Sequence, residues 1–294
     1  MNNAAPVQGG HDPARAVEVH AGDLRLALRA DLGGSIAGLW HRSTPILRST
    51  EPGDLVAARQ SACYPLVPYS NRLAYQRFRW QGRDYSTAPN FDDNPHSVHG
   101  VGWLRAWEVV AHRETDVLLR YRHAPDAHWP FAFEALQGFV LTPHSLVVTL
   151  AVTNTADIAQ PVGLGWHPYF PKRDRSHLHI TVSERWDPDE TQLPVRRAAQ
   201  PGIDGEVSGL RFDHCFQGWR GPADIRDELL SLRLSSNLTR LVIYTPPDKR
   251  YFCVEPVSHV SDAIHSDDPA ALGLRTLQPG GKSEAAMMLD VSVL

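Results

Sequence analysis

The sequence predicts an all-β fold, a large antiparallel β-sandwich with few and short helices. Three observations carry this expectation. Short runs that alternate apolar and polar residues recur along almost the whole chain. Gly-, Pro- and Asp-containing turns separate them at near-regular spacing, the pattern of a sandwich or barrel. Helical periodicity is nearly absent, with DPAALG at 268–273 the best helical signal and a short one. No shift of composition marks a linker and no internal repeat is visible, so residues 15–294 read as one domain. Residues 1–14 are small, polar and Gly/Pro-rich, and are expected to be disordered.

The elements follow in order. VEVHAGDLRLALRA (17–30) reads as a hairpin around Ala21-Gly22-Asp23, and LGGSIAGLWHR (32–42) as a strand opened by a glycine pair. RFRWQGRDYST (77–87) is a second hairpin turning at Gln81-Gly82. LRAWEVVAHR (104–113) and DVLLRYRHA (116–124) form a strand pair, and residues 131–154 form a hairpin turning at Thr142-Pro143-His144. PVGLGWHPYFP (161–171) reads as a short strand ending in a Pro-bounded loop. Further strands are expected at HLHITVS, LRFDHCFQGW, LSLRLSS, LTRLVIYTP, RYFCVEPVS and EAAMMLDVSVL.

Composition excludes several classes of function. The net charge is −4, from 29 Lys+Arg against 33 Asp+Glu, so no basic excess points to nucleic acid or an anionic membrane. The 3 cysteines have no CxxC spacing, which argues against a disulfide framework and a thiolate zinc site and suits a reducing, cytoplasmic compartment. The N-terminus lacks the apolar stretch of a signal peptide or membrane span. No GxGxxG follows a strand and no Walker loop occurs, so no nucleotide cofactor is expected.

Candidate chemistry concentrates in a few stretches. Residues 65–102 hold Ser70, Asn71 and Arg72, then His96 and His99 beside Gly100 and Gly102. An arginine fork can grip vicinal oxygens, or can equally fix a loop through backbone carbonyls. His167 sits among Trp166, Pro168, Tyr169 and Phe170. Glu255 ends an apolar strand, where a carboxylate must be hydrogen-bonded, paired or shifted in pKa. A histidine near neutrality and a glutamate raised by burial make an acid/base couple. His177 and His179 alternate onto one strand face as a metal pair would, but no acidic or thiol partner lies near them in sequence, so no metal is expected. Cys215 and Cys253 read as small buried hydrophobes.

The order of PYSNR (68–72), HSVHGVGW (96–103), WHPYF (166–170), FDHCF (212–216) and FCVEP (252–256) resembles the aldose 1-epimerases, or galactose mutarotases. The resemblance spans most of the chain and implies a mutarotase-like β-sandwich. It implies that the enzyme interconverts α and β anomers of a free aldose without cofactor or metal. It further implies His167 as the acid that protonates the ring oxygen and Glu255 as the base that takes the anomeric proton, with Glu255 ionised and His167 protonated. His99 is implied as a histidine near the ring oxygen, and Arg72 and Asp213 as contacts to sugar hydroxyls. Asn71 and His96 are candidates for the same cleft, and Trp166 either stacks on a sugar face or fills the core. The pattern departs from the family at Trp166 and at Pro256-Val257, which bears on the identity of the sugar. The expected partner is a small sugar, bound by a monomer or homodimer. Competing expectations are a hexose-6-phosphate mutarotase using Arg77, Arg79 and Arg83, a non-catalytic carbohydrate-binding protein, and a glycosidase using Asp213 and Glu255.

Overall fold

The structure is a computed structural model that describes residues 16–294; the segment 1–14 lies outside the described residues. Strands dominate, connected by turns and short 3₁₀ segments, and no α-helix forms among the described residues. A nine-stranded antiparallel sheet runs Glu108–His112, Asp116–His123, Phe133–Leu141, Ser145–Asn154, Lys282–Val293, Leu230–Ser236, Arg220–Arg226, His177–Thr181 and Ile203–Glu206. Its central strands bury every second residue: Phe133, Ala135, Gln137, Phe139 and Leu141 of one strand point inward, and their neighbours do not. Period-two burial is what one packed face demands of a pleated strand.

The second large sheet runs Pro194–Ala199, Glu184–Pro188, Asp213–Gln217, Arg240–Tyr244, Tyr251–Val257, Gly165–Trp166 and Pro65–Leu66, with Tyr169–Pro171 also paired to Tyr251–Val257. Here alternation divides the side chains between two apolar clusters. Trp166, Phe170, Phe216, Leu241, Ile243, Phe252 and Val254 join the main core together with the inner residues of the nine-stranded sheet. Tyr64, Leu66, Tyr169, Cys215, Val242, Cys253 and Val257 form a separate cluster on the opposite face. The strand Tyr251–Val257 is therefore covered on both faces, which is why RYFCVEPVS reads as a continuous apolar run.

The hairpins turn where the sequence places them, with strands Ala16–Ala21 and Leu24–Arg29, Arg77–Trp80 and Arg83–Ser86, and Phe133–Leu141 and Ser145–Asn154. Three expectations need correction. DPAALG forms turns rather than a helix. The strand expected from Leu104 starts only at Glu108, because Gly102–Leu104 is a 3₁₀ turn that buries Trp103 and lets the Trp107 indole donate to the Gly102 carbonyl. PVGLGWHPYFP breaks into three short pairings, Gln160–Val162, Gly165–Trp166 and Tyr169–Pro171. Sequence reading also missed Glu184–Pro188, Pro194–Ala199, Ile203–Glu206 and Arg220–Arg226. The second and third of these are sheet-edge strands, and three of the four carry a proline.

Candidate active site

Register builds the centre of the site. Gly165 lies opposite Val257 and Tyr169 lies opposite Cys253, so one register runs through both pairings and brings His167 across from Glu255. On its other side, His167 donates its backbone N–H to the Tyr64 carbonyl (3.0 Å). Glu255 is in turn paired with Val242, and Val242 with Cys215. Tyr64, His167, Glu255, Val242 and Cys215 thus form one row across a single face of the sheet. The imidazole Nε2 of His167 lies 3.3 Å from Glu255 Oε1, and both side chains are buried.

A loop closes over this row. The N–H groups of Val101 and Gly102 both donate to the Val67 carbonyl, at 2.9 and 3.0 Å. Gly100, at φ +68°, makes that approach possible, since a Cβ there would lie 2.3 Å from the same carbonyl oxygen. The clamp holds His99 at φ +64°. Its N–H donates to the Asn71 carbonyl (2.8 Å), and its Nδ1 accepts the Asn71 N–H (3.1 Å). The neutral His99 ring therefore carries its proton on Nε2.

These pieces enclose a cavity of about 230 Å³ lined by Tyr64, Asn71, Arg72, Phe91, Asn94, Val98, His99, His167, Tyr169, Asp213, Val242, Tyr244, Tyr251 and Glu255. Arg72 Nη2 and Asp213 Oδ2 lie 3.6 Å apart in its wall. Asn71 Oδ1 accepts from Arg72 N–H, Arg72 Nη1 and Ser261 Oγ, so Asn71 orients the guanidinium. Tyr169 stacks on His167 at 4.4 Å between ring centroids, and the Arg48 guanidinium lies 3.6 Å from the far face of Tyr169.

Six of the eight residues singled out from the sequence meet here: His167, Glu255, His99, Arg72, Asp213 and Asn71. Two do not. Trp166 points to the opposite face, as the neighbour of His167 on a strand must, and its indole donates to Gln137 Oε1 (3.2 Å) of the nine-stranded sheet. It fills the core and cannot stack on a ligand in the cavity. His96 is fully buried in the loop, accepting the Tyr75 N–H at Nδ1 (2.9 Å) and bonding the Thr191 carbonyl through Nε2 (3.1 Å). Both of its nitrogens are used, so it braces the loop rather than lining the cavity. Sequence reading missed the walls formed by Tyr64, Phe91, Asn94, Tyr244 and Tyr251. Tyr169 was legible, since it lies two residues from His167 and so on the same face. The fold also gives His177 and His179 the carboxylate they lack in sequence: Asp204 on the next strand lies 3.3 and 3.6 Å from them, outside the cavity.

Burial controls the charges. It pushes the Glu255 carboxyl well above the ordinary carboxylate range; Asp213 adds repulsion and Arg72 opposes it. Burial also pushes the His167 imidazole well below its ordinary value, with His99 and Arg48 adding to the effect. His99 falls to about 3, again chiefly through burial, with Arg72 contributing. The resting pair is therefore a protonated carboxyl beside a neutral imidazole. The ionised Glu255 and charged His167 expected from the sequence describe the active form, which differs from this one by the position of a proton. The two states hold the same single proton and differ only in which side carries it.

The fold is an antiparallel β-sandwich whose cavity holds a buried carboxyl–imidazole pair beside an Arg–Asp wall. The chain belongs to the aldose 1-epimerase family, whose model matches residues 15–289. It is 33% identical to the uncharacterised Escherichia coli K12 protein YphB over 93% of this chain and 97% of that protein. The crystal structure of an E. coli K12 protein provisionally described as an aldose 1-epimerase superposes with a TM-score of 0.86 at 32% identity, covering 95% of this chain and 99% of that one. A galactose mutarotase-like protein of Clostridium acetobutylicum shares the fold, with a TM-score of 0.81 at 20% identity over 94% of this chain and 95% of its own. No helix among the described residues is long and apolar enough to cross a membrane.

Proposed function

We propose that the protein is an aldose 1-epimerase that interconverts the anomers of a free aldose. One observation carries the reading: His167 Nε2 and Glu255 Oε1 stand 3.3 Å apart in a cavity that also holds His99, Arg72 and Asp213. Ring opening removes a proton from O1 and adds one to O5. The C1 carbon then rotates, and reclosure with reversed roles delivers either anomer. The pair begins and ends with one shared proton, so no exchange with solvent is required during a turnover.

In the direction implied by the family, His167 protonates O5 while Glu255 takes the O1 proton. That direction draws on the ionic form of the pair, reached from the resting form by moving the shared proton from Glu255 to His167. The Nε2–H of His99 is a fixed donor toward the ring oxygen. Arg72 and Asp213 offer a donor and an acceptor to sugar hydroxyls, and the aromatic walls contact the apolar ring face.

Arg72 is the one arginine or lysine among the described residues that line the cavity, while Arg77, Arg79 and Arg83 are exposed on their hairpin outside it. This favours an unphosphorylated sugar over a sugar phosphate. The test is polarimetry on freshly dissolved pure anomers of several aldoses, with and without enzyme. Faster relaxation to the same final rotation is expected. Unchanged relaxation across the panel, with sugar binding still detectable by calorimetry, would instead identify a binding protein.

A further inference from the structure

We propose that His167, Cys253 and Glu255 form a site for a thiophilic divalent cation, zinc or cadmium, and that occupancy silences the acid/base pair. One nitrogen, one sulfur and one oxygen of these three residues lie within 4.8 Å of one another, and all three side chains are buried. Cys253 and Glu255 are two apart on one strand and share its face, while His167 faces Glu255 from the adjoining segment. The His167–Glu255 separation of 3.3 Å matches the edge, about 3.3 Å, of a tetrahedron whose N and O ligands lie about 2.0–2.1 Å from a central zinc.

A second observation points to a ligand. Glu255 Oε2 is buried without a hydrogen-bond partner, a state that buried polar atoms rarely occupy. One imidazole, one thiolate and one carboxylate are donor types that zinc accepts, and a thiolate selects soft ions over calcium or magnesium.

Charge and protons balance. Cysteine ligates as thiolate and glutamate as carboxylate, and burial pushes both groups toward their protonated forms in the ion-free site. Binding of M²⁺ releases one proton from Cys253 and one from Glu255, and His167 donates its lone pair. The site is neutral before and after, so no uncompensated charge is buried beside Arg72 and Arg48. A bound ion ties up the Glu255 oxygen and the His167 nitrogen. This inhibitory consequence rests on the functional reading above; the binding does not.

The experiment begins with chelator-treated full-length protein, titrated with cadmium chloride at pH 7. Calorimetry in two buffers of different ionisation enthalpy reads stoichiometry and protons released, and ultraviolet difference spectra read the thiolate-to-cadmium charge-transfer band. One ion per chain with that band and about two protons released is expected. Cys253→Ala should abolish the band and weaken binding by roughly a hundredfold. His167→Asn should weaken binding while keeping the band, which covers the case in which the cysteine variant does not fold. Thermal melts of each variant report folding. Cadmium that binds without the band, or that binds Cys253→Ala as tightly as the parent, overturns the site. Such binding would be ascribed to the exposed His177–His179–Asp204 cluster. Inhibition is followed by polarimetry, each protein referred to its own metal-free rate, and full activity after chelation is expected. Binding with the band but without inhibition would uphold the site and count against His167 and Glu255 as the proton carriers.

Discussion

Glu255→Gln is the perturbation that separates the roles of the buried pair. Glutamine keeps the shape of the side chain and removes its proton chemistry. A positioned acid or base contributes about 10²–10⁴-fold, so kcat/KM should fall by that factor, about 3–5 kcal/mol of transition-state stabilisation. The residual activity carries the sharper information. The parent is active while the pair holds one proton. Because burial raises Glu255 and lowers His167, the alkaline limb of kcat/KM belongs to Glu255 and the acid limb to His167. Glu255→Gln should therefore abolish the alkaline limb, and His167→Asn the acid limb. Stability moves with it. In the unfolded chain Glu255 ionises near its ordinary value of 4.5, while the folded chain keeps the proton. Above that pH the folded state binds one more proton, and the parent loses about 1.4 kcal/mol per pH unit until the folded carboxyl ionises too. Glu255→Gln lacks this loss and should unfold at higher denaturant concentration than the parent above neutral pH. The assays are polarimetric pH profiles and urea melts on both variants. A folded Glu255→Gln protein with parental turnover would place the base elsewhere, with Asp213 the next candidate. Loss of the acid limb in Glu255→Gln would show that the resting pair is ionic.

Arg72→Ala should raise KM by roughly 10- to 100-fold, the value of about 1.5–3 kcal/mol for a hydrogen bond to a charged group, and Asp213→Asn by less; both should leave the pH limbs in place in steady-state kinetics. Trp166→Phe strands Gln137 Oε1 and should cost about 1–3 kcal/mol of stability in urea melts, with sugar KM unchanged because the indole lies on the core face. His99 and His259 are buried neutral, lowered to about 3 and about 4 respectively. From pH 6.5 downward each of them, like His167, takes up a proton in the unfolded chain that the native chain refuses. Each such histidine makes stability fall by about 1.4 kcal/mol per pH unit as the pH drops, so His259→Gln should lessen the acid destabilisation by about 1.4 kcal/mol per pH unit until His259 titrates near 4.

Much of the fold was legible because hairpin turns and period-two patterning are local signals. The strands at Phe133–Leu141 and Ser145–Asn154 show both without interruption. The edge strands Pro194–Ala199 and Ile203–Glu206 were not legible, because an edge faces solvent and its polar, Pro- or Gly-containing sequence matches that of a loop. In the site, the types and positions of His167, Glu255, His99, Arg72 and Asp213 could be read from short motifs. The direction of each side chain could be read only where a strand fixes it. Trp166 was ambiguous until WHPYF proved to be two strand ends around a gap. His96 was ambiguous because its partners, Tyr75 and Thr191, are distant in sequence. Protonation was not legible at all: it depends on how completely the cavity excludes water, which is a property of the packed sandwich.

The register of a few residue pairs decides which chemistry this sheet can offer. Gly165 opposite Val257 and Tyr169 opposite Cys253 put His167 beside Glu255. A slip of one residue on Tyr251–Val257 would turn Glu255 into the core against Phe170, and would present Phe252, Val254 and Pro256 to the cavity. Gly165 permits the close approach of the native register, since a Cβ there would lie 2.7 Å from the Pro256 carbonyl oxygen. Gly165→Ala should therefore push the two segments apart before it disturbs any side chain of the pair. The expected outcome is loss of kcat/KM at near-normal sugar affinity, because Arg72 and Asp213 belong to other strands. The measurement is KM against kcat by polarimetry, together with the cadmium charge-transfer band as a gauge of the His167–Cys253–Glu255 spacing. A Gly165→Ala protein with parental kcat would show that the sheet absorbs the added methyl without moving His167 from Glu255.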